Sequence, residues 1–566
     1  MTSDRQEIER PWIKSYPTGL AWEFEAPIEP LYAALDRAVA DFGERPCLDF
    51  LGRKSSYAEI GEAVERAAAG LQAQGLQKGD RVGLLLPNSP YFVIFYHAVL
   101  KAGGVVVNFN PLYTHYEVER QVRDAECRIM VTLDLQLMLP KLDNLVKAGA
   151  LERVVVCSLA QALPRVKGLL FPILKSAQLA SVPAAPAYLT YKEFLAGAGP
   201  LRPVAIDPLE DLAVLQYTGG TTGVPKGAML THANLAANRR QVANWGQDLK
   251  RGEERTLGVL PFFHVFAMTV VMNVAIEAAG EMILLPRFDL EEVLRTIEKK
   301  RPTLFPAVPT IFNAIENYAG VDRFDLSSVK LCISGGAPLP VEVKQAFEER
   351  TGCKVVEGYG LSESAPVATC NPPHGVNKAG SIGLPFPGTD ISIRDLEDPD
   401  RPVEPGQNGE ICIRGPQVMK GYWRREEETA EVLSDGWLRT ADVGYMDEDG
   451  YVFLVDRLKD VILCGGYNVY PRIIEEACYE HEAVEEVTVI AIEDAYRGQS
   501  PKAFVKLREG AELTAEALQA FLAERLSPIE RPKVIEFRDS LPKTMIGKLS
   551  KKELIEEERE KLSKAS

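Results

Sequence analysis

Arg81-Val-Gly-Leu-Leu-Leu86 is a short apolar run, residues 91–101 have helical character, and Gly104-Val-Val-Val107 is a second apolar run. Continuous apolar runs separated by a helix read as strands buried on both faces, the pattern of a parallel sheet sandwiched between helices. An Ala- and Glu-rich helix is expected just before them, over 57–74. Working outward, a second stretch of the same grain runs from Asp211 to about Tyr359, with strands expected at 213–217, 281–285, 330–334 and 354–357. No sequence repeat relates the two stretches.

After Gly380 the grain changes. Asp390-Ile-Ser-Ile-Arg394, Gly409-Glu-Ile-Cys-Ile-Arg414 and Tyr451-Val-Phe-Leu-Val455 alternate apolar and polar residues between Gly and Pro, as a small antiparallel sheet or barrel does. From about Val461 helix and strand mix again with more charge, ending in a solvated helix or tail over 548–564.

The 566 residues predict three to five structural units. With 46% hydrophobic and 25% charged residues the chain is ordinary for a globular protein, so disordered and fibrous architectures are poor readings. Sixty-four basic against eighty acidic side chains leave a formal charge of −16, which disfavours diffuse attraction to nucleic acid or an anionic bilayer. A polyanionic ligand must then be met by locally placed cations, metal ions or backbone N–H groups. Nine singly spaced cysteines, with no C-x-x-C pair, predict reduced thiols of a cytoplasmic protein. Residues 1–10 are polar and do not resemble a signal peptide.

Two segments invite a membrane reading. Residues 257–276 carry no formal charge, yet contain Pro261, His264 and Asn273, and are expected to be a buried core segment. Gln161-Ala-Leu-Pro-Arg-Val-Lys-Gly-Leu-Leu-Phe-Pro-Ile-Leu-Lys175 is apolar with three cations. It reads either as a surface insertion packed on its own domain or as a membrane-grazing patch that collects lipid-soluble substrate.

The densest special-purpose segment is Tyr217-Thr-Gly-Gly-Thr-Thr-Gly-Val-Pro-Lys-Gly227, directly after an apolar run. Gly219, Gly220 and Gly223 let backbone N–H groups approach an anion. The hydroxyls of Thr218, Thr221 and Thr222 add donors, and Lys226 adds a charge. A phosphate-cradling loop follows. It is not the Walker form, because Pro225 stands where the second Gly belongs and Gly227 follows the Lys. Gly358-Tyr-Gly360 lacks the third Gly of a dinucleotide fingerprint, and Gly360-Leu-Ser-Glu-Ser364 lacks the closing Gly of a nucleophile elbow. Neither a dehydrogenase nor a serine hydrolase is supported.

Six segments occur in the order and spacing of one superfamily: 217–227, Leu260-Pro-Phe-Phe-His264, Gly358-Tyr-Gly-Leu-Ser-Glu363, Asp435-Gly-Trp-Leu-Arg-Thr-Ala-Asp442, Asp456-Arg-Leu-Lys-Asp460 and Pro542-Lys-Thr-Met-Ile-Gly-Lys548. From Asn110-Pro-Leu-Tyr113 to Lys548 the chain resembles the acyl-adenylate-forming enzymes, and within them the bacterial long-chain-fatty-acid CoA ligases. The resemblance implies an α/β fold: a large N-terminal domain (1–456) of two α/β subdomains plus a small β-barrel-like subdomain, a hinge at 457–460, and a mobile, smaller α+β C-terminal domain (461–566). It also implies ATP, Mg2+ and coenzyme A as cofactor and co-substrates, a fatty acid as substrate, no nucleic acid, and a cytoplasmic location with peripheral membrane contact through 161–180.

That activity suits the residues. A carboxylic acid resembling Glu, with a pKa of about 4.3, is already ionised at neutral pH, so adenylation needs no general base. It needs cations, because two anions must meet. By the resemblance, Thr218, Gly219, Gly220, Thr221, Thr222 and Lys226 embrace the β- and γ-phosphates, and Glu363 holds magnesium. Gly335, Gly336, Ala337 and the Gly358, Tyr359, Gly360, Ser362 run line the nucleotide, with Tyr359 stacked on adenine. Asp442 accepts from the ribose hydroxyls, supported by Arg457, and Lys459, near the hinge, is counted among the cofactor-binding residues. His264 walls the acyl site, and Lys548 reaches the carboxylate and the α-phosphate. Rotation of the C-terminal domain then withdraws Lys548 and brings Gly465 and Gly466 to the thiol path.

Two departures stand out. Thr440-Ala441-Asp442 replaces Thr-Gly-Asp, so a left-handed backbone there would strain Ala441; Ser362 replaces Thr but keeps the hydroxyl. Two rival readings remain: an adenylating enzyme that loads an acyl group onto a carrier protein, and a ligase for medium-chain or aryl acids. A non-catalytic lipid-binding protein is disfavoured by the joint retention of Lys548, Glu363 and Asp442.

Overall fold

The computed structural model describes residues 9–565 except 219–224, 465–466, 495 and 545–546. The strand Arg81–Leu85 is buried beyond its first residue, and the helix Pro90–Lys101 that follows is buried from Tyr91 to Leu100. Ser89 caps that helix, and Ser56 with Glu59 forms a capping box at the helix Tyr57–Ala73 packed beside it. An apolar run with cover on both sides gains most by parallel pairing inside a layered core.

Among the described residues two sheets of this kind stand together. The seven-stranded sheet runs Tyr188–Thr190, Arg153–Cys157, Ile129–Leu133, Arg81–Leu85, Val105–Phe109, Leu212–Thr218, Lys226–Thr231. All its pairs are parallel except the last. The nine-stranded sheet is parallel from Lys354–Gly360 through Leu331–Gly335, Leu304–Ala307, Arg255–Gly258 and Glu281–Leu284 to Pro46–Phe50, with antiparallel strands at both edges.

The expected strands are present to within a few residues, but the grouping by position along the chain is corrected. Leu212–Thr218 belongs to the first sheet, where Val106 pairs with Val214, and not to the second stretch. Pro46–Phe50, ahead of both stretches, pairs with Glu281–Leu284 of the second sheet. An apolar run buried on both faces carries no mark of which open edge it will fill.

Asp390–Arg394, Gly409–Arg414, Leu433–Ser434, Trp437–Met446 and Val452–Arg457 form the small antiparallel sheet. Val484–Asp494, Gly498–Leu507, Ile462–Cys464, Tyr467–Val469 and Val534–Phe537 form the last sheet, and Lys552–Ala565 is the terminal helix. One continuous apolar core includes residues from Trp12 to Val452; a separate one begins at Ile462.

Residues 257–276 are core, as expected. They contribute the end of Arg255–Gly258, a π-helical segment Ala267–Asn273 whose every residue is buried, and much of Val274–Glu277. Among the described residues no helix is long and apolar enough to cross a membrane. All nine cysteines are free and buried.

Candidate nucleotide and acyl site

The motif residues gather where the parallel strands end. Thr218 closes Leu212–Thr218, Gly335 closes Leu331–Gly335, and Gly358 to Gly360 close Lys354–Gly360. Carboxyl ends of parallel strands are where open α/β sheets bind ligands, because the connecting loops there leave a crevice. Gly219, Gly220, Thr221, Thr222, Gly465 and Gly466 lie outside the described residues.

On one side of the crevice the Thr218 hydroxyl faces the Lys226 carbonyl oxygen at 3.5 Å, across the antiparallel pair that bounds the loop. The Lys226 ammonium sits 5.1 Å from the centre of the Tyr422 ring. The Tyr422 hydroxyl donates to Glu363 Oε1 at 2.7 Å, and the Glu363 carbonyl receives the Met419 N–H at 2.8 Å. Lys226 and Glu363, expected at the phosphates and the metal, therefore share one aromatic support. Tyr422 was not legible as a site residue: it meets Ala228 through an isolated bridge from far along the chain.

On the other side the buried Tyr359 hydroxyl donates to Asp442 Oδ2 at 2.6 Å, and Arg457 Nε lies 3.1 Å from Asp442 Oδ1. Asp442 and Arg457 are register partners on neighbouring strands. Asp442 raises the pKa of Arg457, with smaller contributions from Tyr359, Asp460 and Glu363, which ties the two sides together electrostatically. Burial raises the pKa of Asp442 despite Arg457 and the Tyr359 hydrogen bond. Ser362 opens the short turn Ser362–Ser364, and Lys459 is exposed on the connector.

Lys548 enters from the C-terminal end. A Cβ added to Gly336 would stand 2.7 Å from Lys548 Cε and 3.0 Å from Nζ, and Gly336 has φ +84°, so glycine serves both the turn and the approach of the ammonium. Loss of hydration, then repulsion from Arg457, lowers the Lys548 pKa to about 8, against attraction from Asp442. Ala337 follows in the same loop, whose Leu339 N–H donates to the buried Glu357 carboxylate at 2.7 Å. Gly360 is required by crowding, since a Cβ there would lie 1.8 Å from the Pro366 carbonyl oxygen.

His264 stands on a loop pinned by Asn88, another residue the motifs did not single out. The Asn88 amide donates to the Gly258 and Leu260 carbonyls at 3.2 and 2.8 Å and accepts from the Phe262 N–H at 2.8 Å. The Phe266 N–H donates to His264 Nδ1 at 3.3 Å, leaving Nε2 to carry the proton of a neutral ring. Desolvation first, and Lys548 second, push His264 down to about 3. The imidazole is neutral and feels the Lys548 charge.

Ala441 has φ +57°, the left-handed backbone that its replacement of glycine made costly. Its N–H donates to Glu410 Oε1 at 2.9 Å and its carbonyl accepts from the Leu458 N–H at 2.9 Å. Those two bonds hold the strained residue in the turn that aims Asp442.

Comparison with known proteins places the chain in a family. Residues 35–423 match the family model described as AMP-binding enzyme, and residues 473–548 match the AMP-binding enzyme C-terminal domain. A long-chain-fatty-acid--CoA ligase of Bacillus subtilis (strain 168) is 46% identical over 561 residues, covering 98% of this chain and 99% of that one. Among solved structures, ATP-bound MatB from Rhodopseudomonas palustris is similar with TM-score 0.80 and 31% identity, over 93% of this chain and 98% of the other. The anthranilate CoA ligase AuaEII in complex with anthranoyl-AMP is similar with TM-score 0.83 and 25% identity, over 94% and 99%. With two family models matched in order along its length, and the motif residues assembled around one crevice, this chain belongs to the AMP-binding enzyme family.

Proposed function

We propose that the protein activates a long-chain fatty acid with ATP and transfers it to coenzyme A. A fatty carboxylate oxygen attacks the α-phosphorus, pyrophosphate leaves, and the acyl-AMP forms. The coenzyme A sulfur then attacks the acyl carbonyl, AMP leaves, and the thioester forms. The observation that carries this reading is the Lys548 ammonium at Gly336, in electrostatic reach of Asp442, Arg457 and His264.

In the first step Lys548 offsets the charge of two anions brought together, a preorganised contribution of the oxyanion-hole kind. Thr218, Gly219, Gly220, Thr221, Thr222 and Lys226 hold the terminal phosphates. Tyr359, with Gly335, Gly336, Ala337, Gly358, Gly360 and Ser362, holds the base, Asp442 with Arg457 holds the ribose, and Lys459 adds a cofactor contact near the hinge. Magnesium suits Glu363, whose carboxylate takes the Tyr422 hydroxyl on the ring that also carries Lys226, because a cation that keeps waters and phosphate oxygens needs only a carboxylate or two. Bound there, it supplies charge neutralisation on the phosphates.

In the second step the C-terminal domain (461–566) turns about 457–460 relative to 1–456, withdrawing Lys548 and bringing Gly465 and Gly466 to the thiol path. The substrate is a lipid amphiphile, so peripheral contact of a cytoplasmic enzyme with a membrane through 161–180 belongs to the same reading.

Product analysis with palmitate, shorter acids and an aryl acid, with and without coenzyme A, tests it. AMP, pyrophosphate and palmitoyl-CoA are expected. ADP as product would overturn the mechanism, an aryl acid outperforming every fatty acid would overturn the substrate, and ATP–pyrophosphate exchange without any thioester would favour loading of a carrier protein.

A further inference from the structure

The helix Arg165–Leu174 carries its apolar side chains on the outward face. Val166, Leu169, Leu170, Ile173 and Leu174 recur at the i, i+3, i+4, i+7, i+8 spacing of one helical stripe. They are 69%, 76%, 45%, 73% and 71% exposed, and no residue of the helix is buried. The opposite face does the seating. A Cβ on Gly168 would lie 2.4 Å from the Ala160 carbonyl oxygen, and Phe171 packs against the main core. An amphipathic helix normally turns such a stripe inward, since each large aliphatic side chain left in water forgoes about 1.5–3 kcal/mol of burial.

Charge says what covers it. At 100° per residue Arg165 and Lys167 border the stripe on either side, and Lys175 follows its end. Lys167 Nζ donates to the Leu51 carbonyl at 3.1 Å and shares a groove with Asp289, Glu291 and Glu292 as well as Arg295, Lys299 and Lys300, but among the described residues none of the three cations has a carboxylate within ion-pair distance. From residue 153 to 192 the chain has Arg153, Arg165, Lys167, Lys175 and Lys192 and no Asp or Glu, in a protein with 80 acidic side chains. Two copies meeting face to face through this helix would oppose cation to cation.

We infer that the Arg165–Leu174 helix docks on an anionic phospholipid bilayer, lying in the interface with its stripe among the acyl chains and its cations at phosphate level. This gives the membrane contact a face and a charge preference, and it rests on the ligase reading only where substrate delivery is concerned. Flotation with vesicles, without ATP or coenzyme A, tests docking independently of catalysis. The full chain is expected to bind vesicles containing ~30 mol% phosphatidylglycerol more tightly than pure phosphatidylcholine, and to be released by about 0.5 M salt.

Leu169→Glu with Ile173→Glu should weaken vesicle binding at least about tenfold, with unchanged melting temperature and unchanged turnover of a short, water-soluble acid. Arg165→Gln, Lys167→Gln and Lys175→Gln together should abolish the preference for anionic lipid while keeping the fold. Vesicle binding unaffected by both variants would overturn the proposal. So would absence of vesicle binding by the full chain, or a dimer in solution that the Glu variant dissociates.

Discussion

The large core and the C-terminal core are built differently. The first joins two parallel sheets and their helices into a single apolar cluster including residues from Trp12 to Val452. The second is a small cluster around Ile462, Ile474, Val489 and Leu522, and shares no member with the first. What ties them is polar: Asn313 donates to the Glu485 carbonyl at 3.2 Å, Arg508 meets Asn317, and Arg472 reaches the Leu454 carbonyl at 2.7 Å. The exposed Arg508–Asn317 bond exchanges for water at little cost, whereas a shared apolar core would have to be torn; the buried Arg472 bonds lie beside the connector. The proposed role of Lys548 therefore places it on the part of the molecule that shares no apolar core with the rest.

Phe92→Ala in the large core should cost about 3–5 kcal/mol, and Ile474→Ala in the small one about 2–5 kcal/mol. Scanning calorimetry should resolve two transitions, each displaced by its own variant; one transition moved equally by both would erase the contrast. Next comes Lys548→Ala, expected to slow adenylation by about 10²–10³-fold while thioester formation from supplied acyl-AMP stays within a few-fold. Equal loss in both half-reactions would contradict delivery by a departing domain.

The pH dependence of Lys548 is a smaller effect. Its folded pKa is lowered to about 8, so the charged form is disfavoured where it is docked. The docked arrangement is therefore penalised below about pH 8 and relieved as pH rises from there toward the ordinary lysine value. On the proposed role of the ammonium, kcat/KM for adenylation should fall about tenfold per pH unit above about 8. A flat profile to pH 10 would count against the assignment. The smallest expected effect is at Ala441. With φ +57°, Ala441→Gly should stabilise the large core by up to about 1 kcal/mol, read as a raised melting temperature; a lowered one would mean that the turn is not strained.

Much of the crevice was legible because its parts are short-range chemistry: a glycine- and threonine-rich turn after an apolar run, an acid after Gly358-Tyr-Gly360, a lysine near the end. Ala441 was legible as a strained substitution, and the positive φ is there. Tyr422, Asn88 and Glu357 were not, since each matters through a partner brought close only by folding: Glu363, the 258–262 backbone and Leu339 respectively. The sheet assignment of Leu212–Thr218 failed for the same reason.

Sequence alone determined the strand and helix periods, the buried character of 257–276 and the positions where phosphate chemistry could occur, because these depend on side-chain spacing and backbone freedom within a few residues. Only the tertiary structure decided which sheet edge each strand fills, that Lys548 stands against Gly336, and that the Arg165–Leu174 helix turns its aliphatic face to solvent. Burial and proximity between distant segments are set by the competition among all apolar surfaces for one interior, and no local pattern encodes the outcome of that competition.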